Sequence, residues 1–541
     1  MTFSRVFSRR RAVASALIAG ILATSGLIVP APSGAVRAAS QTLLVARDIS
    51  DGKTMDPGRF YEFTSNAVAT NCYDTLVTFS GGNTSTPQKD LADRWTIANG
   101  GRVFTFYLRH DVRFASGHPL TAADVVFSYN RLKYLNDNPS FLISGATEIH
   151  ALDKYTVRIT LGAPDVSFLA ALATNNFGVL DSQLVIAHGG DASPDAAKKD
   201  KATTFLDGQT VGTGAFQMTN WTRNVQIALE RNPTYWGPRA PMDKIIFQNQ
   251  KSAATQRLLV QRGSVDVAMN VDLQQAQALQ HDPNTQLVTG NTLDLIYIGM
   301  TTSMTRSVEL ADKRVRQAVR YAIDYDGILK GLLKGVGTRP NGMIPVGMLG
   351  NSTPVNNSLL LHRDLAKARA LLKAAGYANG FSIKLSYDTN TTFDGVAYDP
   401  IASKLQNDLA QVGIKVTLEP QQDSVLLPAY RGQKLQMILY NWGVDFPDPH
   451  DYAGPFSPGG GPAKRMFYTK NTTLADLVSK ADAISDASKR AALYRTIQQT
   501  WLDEGPWIGL VQPQNIIVFS KGLKGYVYSP VFPSNFRTVS R

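Results

Sequence analysis

Hydrophobic and polar positions divide the chain into recognisable elements. Val103-Phe-Thr-Phe-Tyr-Leu108 alternates with period two, as a half-buried strand does. Thr42 to Val45 reads as an earlier strand, and Asn66 to Phe79 mixes helix-like and strand-like runs around Cys72. Elsewhere the period becomes helical. Thr121, with Asp124 three residues on, is an N-cap that opens an amphipathic helix through Leu132. Between Arg314 and Ile323, the residues Val315, Ala318, Val319, Ala322 and Ile323 share one helical face. Asp364 to Gly376 predicts a helix closed by a C-cap glycine. A helix from Ile401 to Val412 leads through Gly413 into the alternating strand Ile414 to Leu418. Helix, short loop and strand in succession predict an α/β lobe.

One stretch departs from both periods. Leu439 to Asp451 opens apolar, like the end of a buried strand, and then packs Trp442, Gly443, Asp445, Phe446, Pro447, Asp448 and Pro449 into eight residues. Two prolines remove backbone donors and fix φ, so regular structure cannot run through them. A stiff loop at the C-terminal edge of a strand is expected, where open α/β sheets hold their ligands. A carboxylate with aromatic neighbours suits a cation with an apolar body, such as a peptide α-amine. The same pattern also fits a proline-rich turn whose acids are solvated or cap a helix. His450 beside Asp448 and Asp451 reads as a solvated loop, and Gly459 to Pro462 as a surface loop. Arg231, Tyr235 and Trp236 read as packing residues.

Length and composition set outer bounds. At 541 residues the chain exceeds what one core supports, so two or three domains are expected. A hydrophobic content of 43% with 18% charged residues fits a soluble globular protein. Residues 1–39 differ in kind: four arginines between Arg5 and Arg11 precede an uncharged apolar run, Ala12 to Val29, and small residues follow. This predicts a cleaved secretory signal, by a route that Ser8-Arg9-Arg10 leaves open between the general and twin-arginine pathways. Cys72 is the single cysteine, so an intrachain disulfide is impossible, no lipoprotein cysteine follows the signal, and Cys72 itself is expected to be buried. A periplasmic location is expected. Residues 1–40 hold five arginines and no acid, so the formal charge of +12 falls by five to +7 for the remainder. The basic residues are scattered, which gives nucleic-acid binding little support.

Several chemistries are absent. No two of the seven histidines are four apart, no G-x-S-x-G elbow occurs, and Gly52-Lys53-Thr54 lacks the upstream glycine of a phosphate loop. No cofactor, metal site or catalytic residue is expected, although acids are too plentiful to exclude a carboxylate-pair hydrolase.

Longer blocks carry a resemblance. Asp90 to Trp95, then Val103 to Ser128, Val211 to Phe216, Leu229 to Trp236, Arg314 to Asp324 and Asp364 to Gly376 follow one another in the order of the family 5 extracellular solute-binding proteins. These are the oligopeptide-, dipeptide- and nickel-binding components of ABC importers, and the resemblance covers nearly all of residues 41–541. It implies an α/β, two-lobed periplasmic-binding-protein fold with an extra inserted domain and a ligand cleft between the lobes. It implies a first domain from 40–87, 210–310 and 511–541, an inserted domain at 88–209 and a second lobe at 311–510. The crossings between lobes would fall near Tyr297-Ile298-Gly299 and Gly509-Leu510-Val511. The implied partners are a peptide or small-molecule ligand and an ABC permease that recognises the closed, ligand-bound monomer. Asp445 matches the family's α-amine anchor, and Trp442 its aromatic wall; Asn441, Gly443 and Phe446 complete the expected site. One position departs. Dipeptide-type members carry an arginine for the peptide carboxylate in the loop that here runs from Tyr387 to Tyr398, and no basic residue stands in it. Longer peptides stay compatible, as do opines, glutathione-like ligands, oligosaccharides and nickel chelates.

Overall fold

Among the described residues, three large β-sheets of seven, five and four strands pack against apolar cores, and two further pairs of strands stand apart from them. The computed structural model describes residues 41–351, 362–389 and 392–541. The expected signal at 1–39 lies outside the described residues. The largest sheet has seven strands in the order Thr285–Asn291, Gln514–Ser520, Val267–Ala268, Thr42–Arg47, Lys244–Asn249, Gln226–Arg231 and Phe216–Thr222. A four-stranded antiparallel sheet, Ala92–Ala98, Val103–Leu108, Thr156–Leu161 and Ala146–Asp153, follows one chain segment without interruption. The third sheet orders Ile414–Gln421, Phe381–Asp388, Met437–Trp442, Leu295–Met300 and Trp507–Val511. The result is a mixed α/β fold of two lobes with an inserted domain. Among the described residues no helix is long and apolar enough to cross a membrane.

Local sequence accounts for most of these elements. Phe104, Phe106 and Leu108 alternate into the core of the four-stranded sheet. The helix Ala122–Tyr134 starts at a capping box, in which the Thr121 N–H donates to Asp124 at 2.9 Å. Lys313–Ala322 buries Val315, Ala318, Val319 and Ala322. Gly376 takes φ +93° just past the helix Leu365–Ala374, the left-handed geometry a helix end favours. Gly380 and Gly413 precede the paired parallel strands Phe381–Asp388 and Ile414–Gln421. A Cβ on Gly380 would stand 1.9 Å from the Gly413 carbonyl oxygen, so only glycine lets the two strands start side by side.

Three expectations need correction. The helix expected from Ile401 runs from Tyr398 to Ala410, because Pro400 falls in its first turn, where the missing N–H breaks no bond. The loop expected at Gly459 to Pro462 is partly helical, since Gly461–Arg465 forms a short helix with Pro462 in its opening turn. Tyr297 to Gly299 and Gly509 to Val511, the expected crossings, lie inside two adjacent paired strands. The chain passes between the seven- and five-stranded sheets at 292–294 and again at 512–513. Gln512 is buried at the second passage, and its Nε2 donates to the carbonyls of Thr292 at 2.7 Å and Val346 at 2.9 Å.

Candidate functional site

The strand Met437–Trp442 lies inside the five-stranded sheet, parallel to Phe381–Asp388 and antiparallel to Leu295–Met300. Its apolar start is buried at Met437, Ile438 and Leu439, and its polar end, Asn441 and Trp442, reaches the sheet edge. The prolines then turn the chain, and a helix, His450–Phe456, begins directly after Pro449. The loop between is tied down rather than solvated. Asp448 accepts from Arg490 at 2.8 Å in a buried pair and also from the His450 N–H at 2.8 Å. Burial alone would lower the His450 imidazole, but its 2.7 Å contact with Asp482, helped by Asp165 and Asp448, outweighs this and holds it at about 9. The reading of His450, Asp448 and Asp451 as a solvated loop is therefore wrong, because burial gives each a fixed partner.

Beyond Trp442 the acids converge. Trp442 Nε1 donates to Asp451 at 3.2 Å, and the Asp445 N–H donates to the same oxygen at 3.1 Å. The Val444 N–H donates to Asp294 at 2.8 Å. Asp294, just ahead of Leu295–Met300, in turn meets Asp394. Burial pushes all four carboxyls up: Asp445 to about 6, and Asp451, Asp394 and Asp294 in the same direction. Like charge adds to burial at Asp451 and Asp394, while the Tyr61 hydroxyl, donating to Asp445, works the other way there. Such a group of carboxyls favours an incoming cation.

Of these, Asp294, Trp442, Val444 and Asp445 border a cavity of about 460 Å³ between the seven-stranded sheet's first loop, the inserted domain and the third sheet. Phe60 to Phe63 come from the loop before the helix Phe63–Cys72, and Leu142, Thr174 and Asn176 from the inserted domain. The remaining wall carries Asp294, Asp388, Phe393, Tyr398, Asp423 and Tyr440, together with Asn441 to Asp445. Four of the five expected site residues, Asn441, Trp442, Gly443 and Asp445, thus stand together on the wall. Asn441 accepts from the Tyr398 hydroxyl at 2.8 Å, and Gly443 faces Asp294 and Phe393, where a Cβ would make ordinary contacts at 3.9 Å. Phe446 does not join them; its ring packs on the core of the four-stranded sheet, across the cleft. A larger, more open depression of about 930 Å³ lies beside Lys53, Arg59 and Lys133, and meets the cleft at Glu62 and around Phe141 and Leu142.

Sequence reasoning missed Asp294, Asp388, Asp423 and Tyr61. Asp388 and Asp423 stand at the C-terminal ends of strands along the sheet edge that brought Asp445 to notice, so the same rule could have found them, whereas Asp294 precedes an antiparallel strand and only the strand order brings it to that edge. Tyr61 comes from another sheet's loop and had no such signal.

Comparison with known proteins places this geometry. The chain is 27% identical over 533 residues to the probable D,D-dipeptide-binding periplasmic protein DdpA of Escherichia coli K12, covering 97% of this chain and 98% of that protein. It is 26% identical over 506 residues to heme-binding protein A of Haemophilus influenzae, covering 90% of this chain and 89% of that one. It also superposes on the periplasmic binding protein DppA of Helicobacter pylori, solved with the peptide STSA, with a TM-score of 0.74 and 26% identity. That match covers 92% of this chain and 98% of that one. The model of the bacterial extracellular solute-binding proteins, family 5, matches residues 86–464, and the chain belongs to that family.

Proposed function

We propose that this protein is exported to the periplasm, captures peptides in the cleft between its lobes and delivers them, as a closed monomer, to an ABC permease in the membrane. One observation carries the peptide reading. Asp445 presents a carboxylate to an aromatic-walled cavity in which other carboxyls, and no lysine, arginine or histidine, line the described wall. A peptide α-amine supplies the missing cation, as a charge-assisted hydrogen bond donor. Relatives at nearly equal identity are named for a dipeptide and for heme, so the site rather than the likeness argues for the peptide.

The working parts would be a first domain on the seven-stranded sheet, 40–87, 210–291 and 514–541, an inserted domain at 88–209 and a second lobe on the five-stranded sheet, 295–511; the expected bounds at 310 and 510 thus move to the passages at 292–294 and 512–513, where rotation would be absorbed. Tyr61 on one lobe and Asp445 on the other meet across the cleft, which is the kind of contact a closed form makes and an open form lacks. A carboxylate pair in a cleft also suits a hydrolase. Here Asp451 and Asp294 are each spent on holding backbone N–H groups of the loop, and the curated relatives are named as binding proteins. We therefore assign no catalytic residue.

Native mass spectrometry of protein purified without refolding tests this reading, before and after denaturing release. A set of added masses fitting intact short peptides is the expected result. A single non-peptide mass overturns the peptide assignment while keeping a transport role, and peptide fragments produced on incubation overturn the binding-only assignment.

A further inference from the structure

The space open to a ligand does not end at the cavity beside Asp445. It continues at Glu62, Phe141 and Leu142 into the larger depression beside Lys133. Among the described residues only three phenylalanine, tyrosine or tryptophan side chains are exposed: Tyr61, Phe63 and Phe141. All three stand at this junction. Tyr61 and Phe63 line the cavity, and Phe141 lines the depression. The rings of Tyr61 and Phe141 meet edge to face, with centroids 5.9 Å apart. Exposed rings gathered in one place mark a surface that something else covers.

Charge changes sign across this aromatic seam. The cavity is lined by acids and by no basic side chain. The depression is lined by Lys53, Arg59 and Lys133 against Glu62 and Asp137. Two of these cations are already answered: Lys53 meets Glu62 at 2.9 Å, and Arg59 meets Asp137 at 3.0 Å and Asp200 at 3.3 Å. Lys133 differs. It is half-buried in the last turn of the helix Ala122–Tyr134, and its Nζ donates to the Ala146 carbonyl at 2.6 Å. It pairs with no carboxylate among the described residues. The carbonyl fixes where the ammonium stands and leaves its charge unanswered, and an ammonium has further donors for an incoming carboxylate.

We propose that the ligand is a peptide long enough to leave the cavity, and that its chain crosses the seam of Tyr61, Phe63 and Phe141 and ends with its carboxylate on Lys133. This rests on the peptide reading above and names the class of peptide by length. A chain with an amine at one end and a carboxylate at the other matches the polarity from Asp445 to Lys133. It also supplies a partner for the carboxylate, which the basic-free loop from Tyr387 to Tyr398 does not offer. A dipeptide held at Asp445 keeps its carboxylate among the acids of the cavity. Each added residue carries it about 3.4 Å further along an extended chain.

Isothermal titration calorimetry with alanine peptides of two to five residues, and with the pentapeptide amide, tests the proposal. The wild-type protein is expected to bind pentaalanine about tenfold more tightly than dialanine, the share of one charge-assisted hydrogen bond, and the amide should lose that gain. In Lys133→Gln the gain should fall to within about twofold with dialanine unchanged, and in Lys133→Arg it should persist. The amide reads the carboxylate on the unaltered protein, so the test stands even if a variant fails to fold. Affinity that does not rise with length, or a gain that survives amidation or Lys133→Gln, overturns the carboxylate subsite and leaves the peptide reading standing. If no alanine peptide binds the wild-type protein, both are overturned.

Discussion

Asp445 is held at a cost that only a ligand removes. Its carboxyl lies among Asp451, Asp294 and Asp394, and burial raises it to about 6. Replacing it with alanine should weaken binding of an amine-bearing peptide by about 2–5 kcal/mol, read by calorimetry at neutral pH. Unchanged affinity would remove Asp445 from the site. Its titration gives a second expectation. Below about pH 6 the group is neutral and no longer pairs with an amine, so affinity should fall as pH drops from 7 to 5, by about tenfold per unit once below 6. Stability runs in the opposite sense. A carboxyl whose folded pKa is raised gives up stability as pH rises from its ordinary value of 3.8 through 6. Asp445→Asn should therefore stabilise the empty protein by about 1–3 kcal/mol at pH 7.5, and the gain should vanish near pH 4. A gain that is the same at both pH values would contradict this account.

At the scale of elements, the loop after Met437–Trp442 depends on a side chain far along the sequence. Arg490 donates to Asp448 and also to the Tyr494 hydroxyl at 2.8 Å, within a long helix, Ala487–Glu504. Breaking such a buried pair from one side leaves a charge without its partner. Arg490→Ala should lower stability by about 3–5 kcal/mol in denaturant titration and weaken ligand binding as well, since the loop carrying Asp445 loses its tie. Full affinity in a destabilised variant would mean that the prolines alone position the loop. The strand, the break after it and the presence of an acid in a turn were legible, because proline and alternation act locally. The tie to Arg490 was not, because it joins residues far apart along the chain, and the contacts of Asp451 to Trp442 and to the Asp445 N–H were not, because they depend on how the irregular loop folds back on itself. Phe446 shows the limit from the other side: its neighbours along the chain line the cleft, yet its ring faces the inserted domain.

For the whole molecule, the cleft exists only because three sheets meet. Tyr61 reaches Asp445 from the loop ahead of the helix Phe63–Cys72, and the Val166 N–H, just past the four-stranded sheet, donates to the Asp482 carbonyl at 2.8 Å. A ligand that favours this arrangement should stabilise it by mass action, by about 2.7 kcal/mol at one hundred times the dissociation constant. Small-angle scattering should then record a smaller radius of gyration on adding peptide. A melting shift without compaction would place ligand binding in an already closed protein and overturn the rotation proposed here.

Local pattern and ordered blocks were enough for the α/β class, for most helix and strand positions and for the family, and they singled out Asp445 as a candidate. Periodicity, capping and glycine at left-handed positions are properties of neighbouring residues, so the chain states them directly. The gathering of Asp294, Asp388 and Asp423 with Asp445, the contact from Tyr61 and the passage of the chain at 292–294 and 512–513 were decided by tertiary structure alone. Those depend on strand order, and strand order is set by which buried faces pack together rather than by anything written beside each residue.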